Sequence, residues 1–195
     1  MRDRQLANGK TPVQSDSDTM VPPDHALPAA ARLMLSRWRD LAEDNGGLAG
    51  GLPGLHALAP ALIPAELLPW TMTYRRDGAR NLTYGVVGEE LTFLFHENPR
   101  GKPVLYYAAP EIREARYAII HRALDEGMPV WYLGRVLFEF ASVQIGRLCL
   151  PTRTENGEAL LLVYLPLTPL PGAAERGARK GENPGDVVWL GRDAR

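Results

Sequence analysis

The chain has a single cysteine, Cys149, in 195 residues. One cysteine excludes an internal disulfide and any metal site built from several cysteines. An excess of one charge is also missing, because 22 basic side chains are balanced by 23 acidic ones. A formal net charge of −1 gives no electrostatic attraction for nucleic acid or anionic lipid, so we expect neither as a partner.

Long apolar runs are scarce as well. The best candidate, Ala159 to Leu167, is interrupted by Pro166 and is much shorter than the ~20 apolar residues of a membrane helix. The first ten residues carry charges but no apolar segment, so no secretion signal is predicted. We therefore expect a cytoplasmic protein with no membrane partner.

Signatures of catalysis are missing too. The four histidines, His25, His56, His96 and His121, are scattered, and the sequence has no HExxH, GxSxG or paired-carboxylate motif. We predict that the protein is not an enzyme and that it holds no metal. An enzyme of unknown reaction is the last of the alternatives.

What is present is a chain that is 45% hydrophobic and can form one core between polar ends. Residues 1–26 are polar and aperiodic, which predicts a disordered arm. Residues 27–54 are predicted to form an amphipathic N-terminal helix and a Gly-rich hinge, and residues 169–195 a Pro/Gly-rich tail. Whether the apolar patch at 187–190 in that tail docks on the core is left open.

Residues 55–168 are predicted to form the core domain. Two alternating segments around Asp77-Gly78 indicate a β-hairpin, and after a short helix Glu111 to Glu126 is predicted to be the long helix. Three strands follow, and the last, Ala159 to Leu167, is apolar on both faces, so we expect it to lie centrally with cover on each side. The pattern predicts an α+β fold with a mostly antiparallel sheet.

This order of elements, together with several short segments, is similar to that of a known family. The segments are IPAELLPW (Ile63 to Trp70), the hairpin with Tyr74 and Gly78, GEELTFLF after the second strand, and ALDEGMPVWYLGR (Ala123 to Arg135). With these segments, residues 55–168 resemble the PAS domain, and look closest to the small bacterial proteins that carry one divergent PAS domain. The resemblance implies a five-stranded antiparallel sheet in the order 2-1-5-4-3, with helices on one face and a cavity between helices and sheet.

The resemblance also implies a function. We expect a stand-alone sensory or signal-transduction domain that binds a small molecule in the cavity. No output domain fits in the remaining residues, so the signal is expected to pass to an unidentified signalling protein or through a dimer interface. The alternative is a ligand-free protein–protein interaction module.

Arg116 is the most specific candidate for ligand binding. It falls near the middle of the apolar arc of the long helix, where an unpaired guanidinium is too costly to bury. We hypothesise that it points into the cavity and pairs with an anionic ligand or an internal carboxylate. The alternatives are an arginine that reaches water at the helix rim and an error in helical phase.

The other candidate pocket residues are aromatic or aliphatic side chains that could equally be plain core. They are Tyr74, Tyr84, Phe93, Tyr132 and Ile120.

The cofactor, if any, is unknown from the sequence. His121 lies opposite the apolar arc of the long helix and is predicted to face water, so a haem ligand is not expected there. The NCRFL-type motif of flavin photosensors is absent, and Cys149 lies on a predicted strand. We therefore expect no flavin, and interpret Cys149 as a small core residue.

Two apolar surfaces predict an interface. Met34, Trp38 and Leu41 form a stripe on the N-terminal helix, and Trp131 and Leu133 lie on the outward face of the third strand. Such surfaces predict either an intramolecular cap or a two-fold dimer. A homodimer through the N-terminal helix is the leading hypothesis.

Overall fold

The structure is a computed structural model that describes residues 27–44, 52–54, 63–155, 157–170, 172 and 179–190. The predicted disordered arm and most of the predicted hinge lie outside the described residues. The elements follow in the order α1 (Ala29–Asp44), a 3₁₀ helix (Ala65–Trp70), β1 (Thr71–Arg76), β2 (Leu82–Val87), α2 (Glu89–Phe95), α3 (Pro110–Glu126), β3 (Val130–Phe138), β4 (Ser142–Thr154), β5 (Gly157–Pro166) and β6 (Arg179–Trp189).

The strands form one antiparallel sheet in the order β2-β1-β5-β4-β3-β6. The α+β class and the antiparallel sheet are confirmed. The prediction of a five-stranded sheet in the order 2-1-5-4-3 is wrong in count and in order, because a sixth strand, β6, pairs with the free edge of β3 and lies in the segment predicted to be a tail. The apolar patch at 187–190 therefore docks, and Leu190 at its end is buried.

Strand β5 separates two hydrophobic clusters, as its two-sided apolar pattern predicts. Alternate residues Leu160, Leu162 and Tyr164 point to the inner cluster, under α2 and α3. Leu161 and Val163 point to the outer cluster, under α1. The sheet thus carries helices on both faces, with the two halves of the core on either side of it.

Helix α1 covers the outer face of the sheet within the same chain. Met34, Trp38 and Trp131 are buried there, and Leu41 and Leu133 pack against them. These are the five residues predicted as an interface between two copies, and the structure shows them in the intramolecular alternative. The chain itself supplies the cover for this face, and the homodimer stays a prediction.

Helix α3 has clear signals at both ends. Pro110 occupies its first turn, where the missing N–H costs nothing. Gly127 ends it in the left-handed region at φ 59°, and its N–H donates to the carbonyls of Ala123 and Leu124. These two signals set the ends of α3. Its buried residues Ile120, Ala123 and Leu124 pack in the inner cluster, so α3 lies along the inner face of the sheet and forms one wall of the site described below.

Arg76, at the end of β1, connects the sheet to α3. The residue is 8% exposed. Its Nη1 donates to Oδ1 of Asp125 on α3 at 2.6 Å, and its Nε donates to Oε2 of Glu158 on β5 at 2.8 Å. Arg80 adds a bond from Nη2 to Oδ2 of Asp125 at 2.8 Å. This cluster holds the C-terminal end of α3 against β1 and β5.

The substitution Asp125→Asn tests the cluster through its pH dependence. Hydrogen bonds from Arg80 and Arg76 hold the pKa of the Asp125 carboxyl below its ordinary value of 3.8. Because the pKa is lower in the folded state than in the unfolded state, the carboxylate stabilises the fold fully at pH values above the unfolded-state pKa. This contribution is lost as the pH falls through the folded-state pKa. The Asp125 side chain is 43% exposed, so we expect the variant to lose no more than about 1 kcal/mol near neutral pH.

Urea unfolding of the wild type and the variant across acid and neutral pH measures this effect. The two free energies of unfolding are expected to converge as the pH falls through the folded-state pKa of Asp125, where the carboxyl becomes protonated in both states. Glu126→Gln removes the exposed pair with Arg122 on the same helix and serves as the control, with a smaller loss expected. A gap that stays constant at low pH would contradict the role given to Asp125.

Candidate functional site

A cavity of about 270 Å³ lies between α3 and the inner face of the sheet. Its walls come from four strands, from α3 and from the turns that precede α3. The lining residues are Tyr74, Leu105, Tyr107, Ala108, Ala109, Ile112, Arg116, Ile120, Tyr132, Arg147, Cys149, Leu160, Leu162 and Tyr164.

The floor of the cavity is a row of side chains across three strands. Tyr132 on β3 is the register partner of Arg147 on β4, and Arg147 is the partner of Tyr164 on β5. The guanidinium carbon of Arg147 lies 4.9 Å from the centre of the Tyr164 ring. Arg147 is only 4% exposed, so a cation is held inside the core beneath the cavity.

A second cation enters from the helix. Arg116 on α3 is half-buried, and its guanidinium carbon lies 4.9 Å from the centre of the Tyr132 ring. Because Tyr132 is the neighbour of Arg147 in the floor row, the two arginines reach the same part of the cavity from opposite walls. Burial raises the pKa of the Tyr132 hydroxyl well above its ordinary value, so this group is a neutral hydrogen-bonding partner.

Cys149 forms a buried part of the wall near both arginines. Burial raises the pKa of its thiol to about 12, although Arg147 and Arg116 act in the opposite direction. A thiol in this state is neutral at physiological pH and is a poor nucleophile.

The cavity opens to solvent beside the first turn of α3. Tyr107 and Ile112 are each 42% exposed, and Ala109 between them is exposed as well. The deep end is formed by buried residues such as Cys149 and Leu162. A ligand would therefore enter past Tyr107 and Ile112 and reach the arginines further inside.

Four of the six sequence-predicted pocket residues line the cavity. They are Arg116, Tyr74, Tyr132 and Ile120. Tyr84 lies behind the wall, where its hydroxyl accepts a hydrogen bond from the N–H of Leu105 at 3.3 Å and its ring meets Tyr74 edge-on at 5.3 Å. Tyr84 thus supports the wall without lining it.

The placement of Phe93 in the pocket is wrong. Phe93 is 48% exposed on α2, whereas Leu91 and Leu94 of the same helix point into the inner cluster. The helix has only seven residues, so its buried face is set by two leucines and leaves Phe93 on the opposite side.

Arg147 is the residue that sequence reasoning missed. Val143, Ile145 and Cys149 alternate with it along β4, and the three apolar members all belong to the inner cluster. An arginine in the middle of an inward-facing apolar alternation is the signal that could have found it. Tyr164 was missed for a different reason. Both faces of β5 are apolar, so the pattern does not show which residues of the strand face the cavity.

His121 lies outside the cavity, on the side of α3 that the helical pattern predicts. It is half-buried there, because it packs beside the Tyr117 ring with ring centres 6.1 Å apart. Burial, followed by the nearby charges of Arg80 and Arg76, lowers its pKa. No histidine is among the described residues that line the cavity.

Within the described residues, no group of three or more His, Cys, Asp or Glu side chains comes together as a metal site. The described helices also include none that is long and apolar enough to span a membrane. In comparisons with known proteins, no family model matches the chain. A search of the curated proteins finds no significant match either.

Proposed function

We propose that this chain is a PAS-like sensory domain that binds a small molecule in the cavity between α3 and the sheet. The observation that supports the proposal most directly is the cavity itself, which is largely apolar and lined by a few polar groups. The neighbour order β2-β1-β5-β4-β3 within the sheet and the long helix over its inner face add support. Strand β6 is an addition to the five strands that the resemblance implies.

The fold offers a physical route from the cavity to the surface. Strands β4 and β5 present alternate side chains to the cavity and to α1. A shift of either strand therefore displaces side chains on both faces of the sheet. On the far side, Nε1 of Trp38 on α1 donates to the carbonyl of Pro151 on β4 at 2.8 Å. A ligand that prefers one position of β4 would bias the docking of α1, by no more than its differential affinity for the two states.

The ligand-free interaction module is the second candidate function, and one observation favours it. Phe140, in the turn between β3 and β4, is 70% exposed, and Leu137 beside it is also exposed. Apolar side chains at such a turn form a small contact surface for another protein. A sensory domain that relays its state to a partner would use the same surface. The two functions are therefore distinguished by whether a ligand binds in the cavity.

The substitution Ala108→Trp tests whether the cavity is a ligand site. Ala108 is half-buried in the wall, and an indole there is expected to fill much of the space. We expect native mass spectrometry, after incubation with a metabolite extract, to show an added mass on the wild type that the variant lacks. The added mass should disappear on denaturation.

Ala118→Trp is the matched control, because Ala118 is exposed on α3 and does not line the cavity. This variant is expected to retain the added mass. A wild-type protein whose native and denatured masses agree in every extract would favour the ligand-free module.

A further inference from the structure

We infer that the cavity takes a small organic anion, a monocarboxylate with an apolar body, and that Arg147 and Arg116 together bind its charged end. The inference rests on the proposed function, because it assigns a ligand class to the same cavity. It adds Arg147, which the sequence did not identify, as the principal binding residue.

The charge of the lining is the first reason. Two lining residues are arginines, and none of the described residues that line the cavity carries a carboxylate. An arginine keeps its charge at any physiological pH and presents a planar set of donors that matches a carboxylate. The cavity is therefore positive, and an anion would gain from both cations in surroundings of lower dielectric constant than bulk water.

The geometry of the floor row is the second reason. Arg116 lies over the ring of Tyr132, Tyr132 is the cross-strand neighbour of Arg147, and Arg147 lies over Tyr164. The aromatic rings hold both guanidinium planes in place through cation–π contact. Arginines that are ordered before binding lose little side-chain entropy when a ligand arrives.

The size and the walls decide what kind of anion fits. A cavity of about 270 Å³ lies near the lower end of the ~300–1,000 Å³ range of small-molecule pockets, so it suits a small ligand. Apart from the arginines and the tyrosine hydroxyls, the walls are alkyl and aromatic, with Leu160, Leu162 and Ile120 among them. A singly charged acid with an aromatic or alkyl body suits these walls, whereas a phosphate dianion would have to lose far more hydration.

Isothermal titration calorimetry with two pairs of probes tests the inference. Benzoate and hexanoate are the anions, and benzamide and hexanamide are their neutral counterparts of nearly equal shape. We expect each carboxylate to bind at least about tenfold more tightly than its amide, since hydrogen bonds between charged partners are the stronger ones. Arg147→Met is expected to remove most of this preference while keeping the volume of the side chain.

Arg135→Met is the matched control, because Arg135 is an exposed residue of the neighbouring strand β3 and does not line the cavity. It is expected to leave the carboxylate preference unchanged. Circular dichroism confirms that each variant is folded. If Arg147→Met does not fold, Arg116→Met on the helix provides the test, and a loss of severalfold in carboxylate affinity is expected.

Two outcomes of the calorimetry overturn the inference. Equal binding of acid and amide, or a preference that survives in both arginine variants, overturns the inference but leaves the cavity a ligand site. Failure of all four probes to bind also overturns it, and the mass measurement with extract then tests the proposed function separately.

Discussion

Replacing Trp38 with alanine is expected to lower the free energy of unfolding by about 3–5 kcal/mol, the usual loss for a fully buried tryptophan. The side chain is 1% exposed and belongs to the outer cluster, beneath α1. Its Nε1 donates to the carbonyl of Pro151, 113 residues further along the chain. Truncation removes the apolar contact area and leaves that buried carbonyl without its donor. Equilibrium unfolding in urea, followed by circular dichroism, measures the loss.

Two control variants divide the effect of Trp38 into its parts. Trp38→Phe keeps an aromatic ring and removes the N–H, so a loss of about 1–3 kcal/mol is expected. Leu33→Ala lies on the same helix at a position that is 45% exposed, and a change within about 0.5 kcal/mol is expected. If Trp38→Ala lost no more than Leu33→Ala, the docking of α1 on its own sheet would be contradicted.

The same unfolding experiment bears on the predicted homodimer. A dimer that is essential for covering the outer face would raise the unfolding midpoint as the protein concentration increases. Cover by the chain's own α1 gives a midpoint that does not depend on concentration. The two alternatives that the sequence left open for Trp38 and Trp131 are therefore separated by one dilution series.

The features of the fold that could be predicted are those with a regular side-chain period. The two-sided pattern of Leu160 to Leu165 required cover on both faces of β5, and the structure has it. Strand β6 could not be predicted, because the sequence RKGENPGDVVW has no alternation. Pairing with the free edge of β3 uses backbone groups, so the ladder needs no apolar pattern in the added strand.

A site residue could be predicted where the sequence pattern of its own helix or strand shows which face is buried. The apolar arc of α3 singled out Arg116 and Ile120, and both line the cavity. The seven residues of α2 were too few to show which side is buried, and Phe93 was misplaced for that reason. The convergence of Arg116 with Arg147 depends on the register between β3 and β4, which no pattern within one strand can reveal.

Gly146 on β4 is the position where the smallest substitution is expected to have one of the largest effects. A Cβ built on Gly146 would overlap Cη2 and Cζ2 of the Trp131 indole, which is itself only 3% exposed. The indole cannot move aside, because α1 packs against this face of the sheet and its residues belong to the same cluster as Trp131. We expect Gly146→Ala to lower the free energy of unfolding by about 3 kcal/mol, near the upper end for overpacked cores.

Gly78→Ala is the matched control for the loss of a glycine. A Cβ on Gly78, in the turn between β1 and β2, has no heavy atom within 4 Å, so a change within about 0.5 kcal/mol is expected. Urea unfolding compares the two variants under the same conditions. Equal losses at the two positions would mean that backbone freedom, and not the Trp131 ring, sets the cost at Gly146.

The double variant Gly146→Ala with Trp131→Leu tests the assigned cause directly. A leucine leaves room for the new methyl group, so the double variant is expected to lose at least about 1 kcal/mol less than the sum of the two single losses. Additive losses would show that the ring is not the obstacle. Arg147 follows Gly146 on β4 and points to the opposite face. If Gly146→Ala displaces β4, it should also weaken the carboxylate preference. The double variant should then recover that preference. Stability and ligand binding would then rise together, as expected if one strand carries both the outer core and the floor of the cavity.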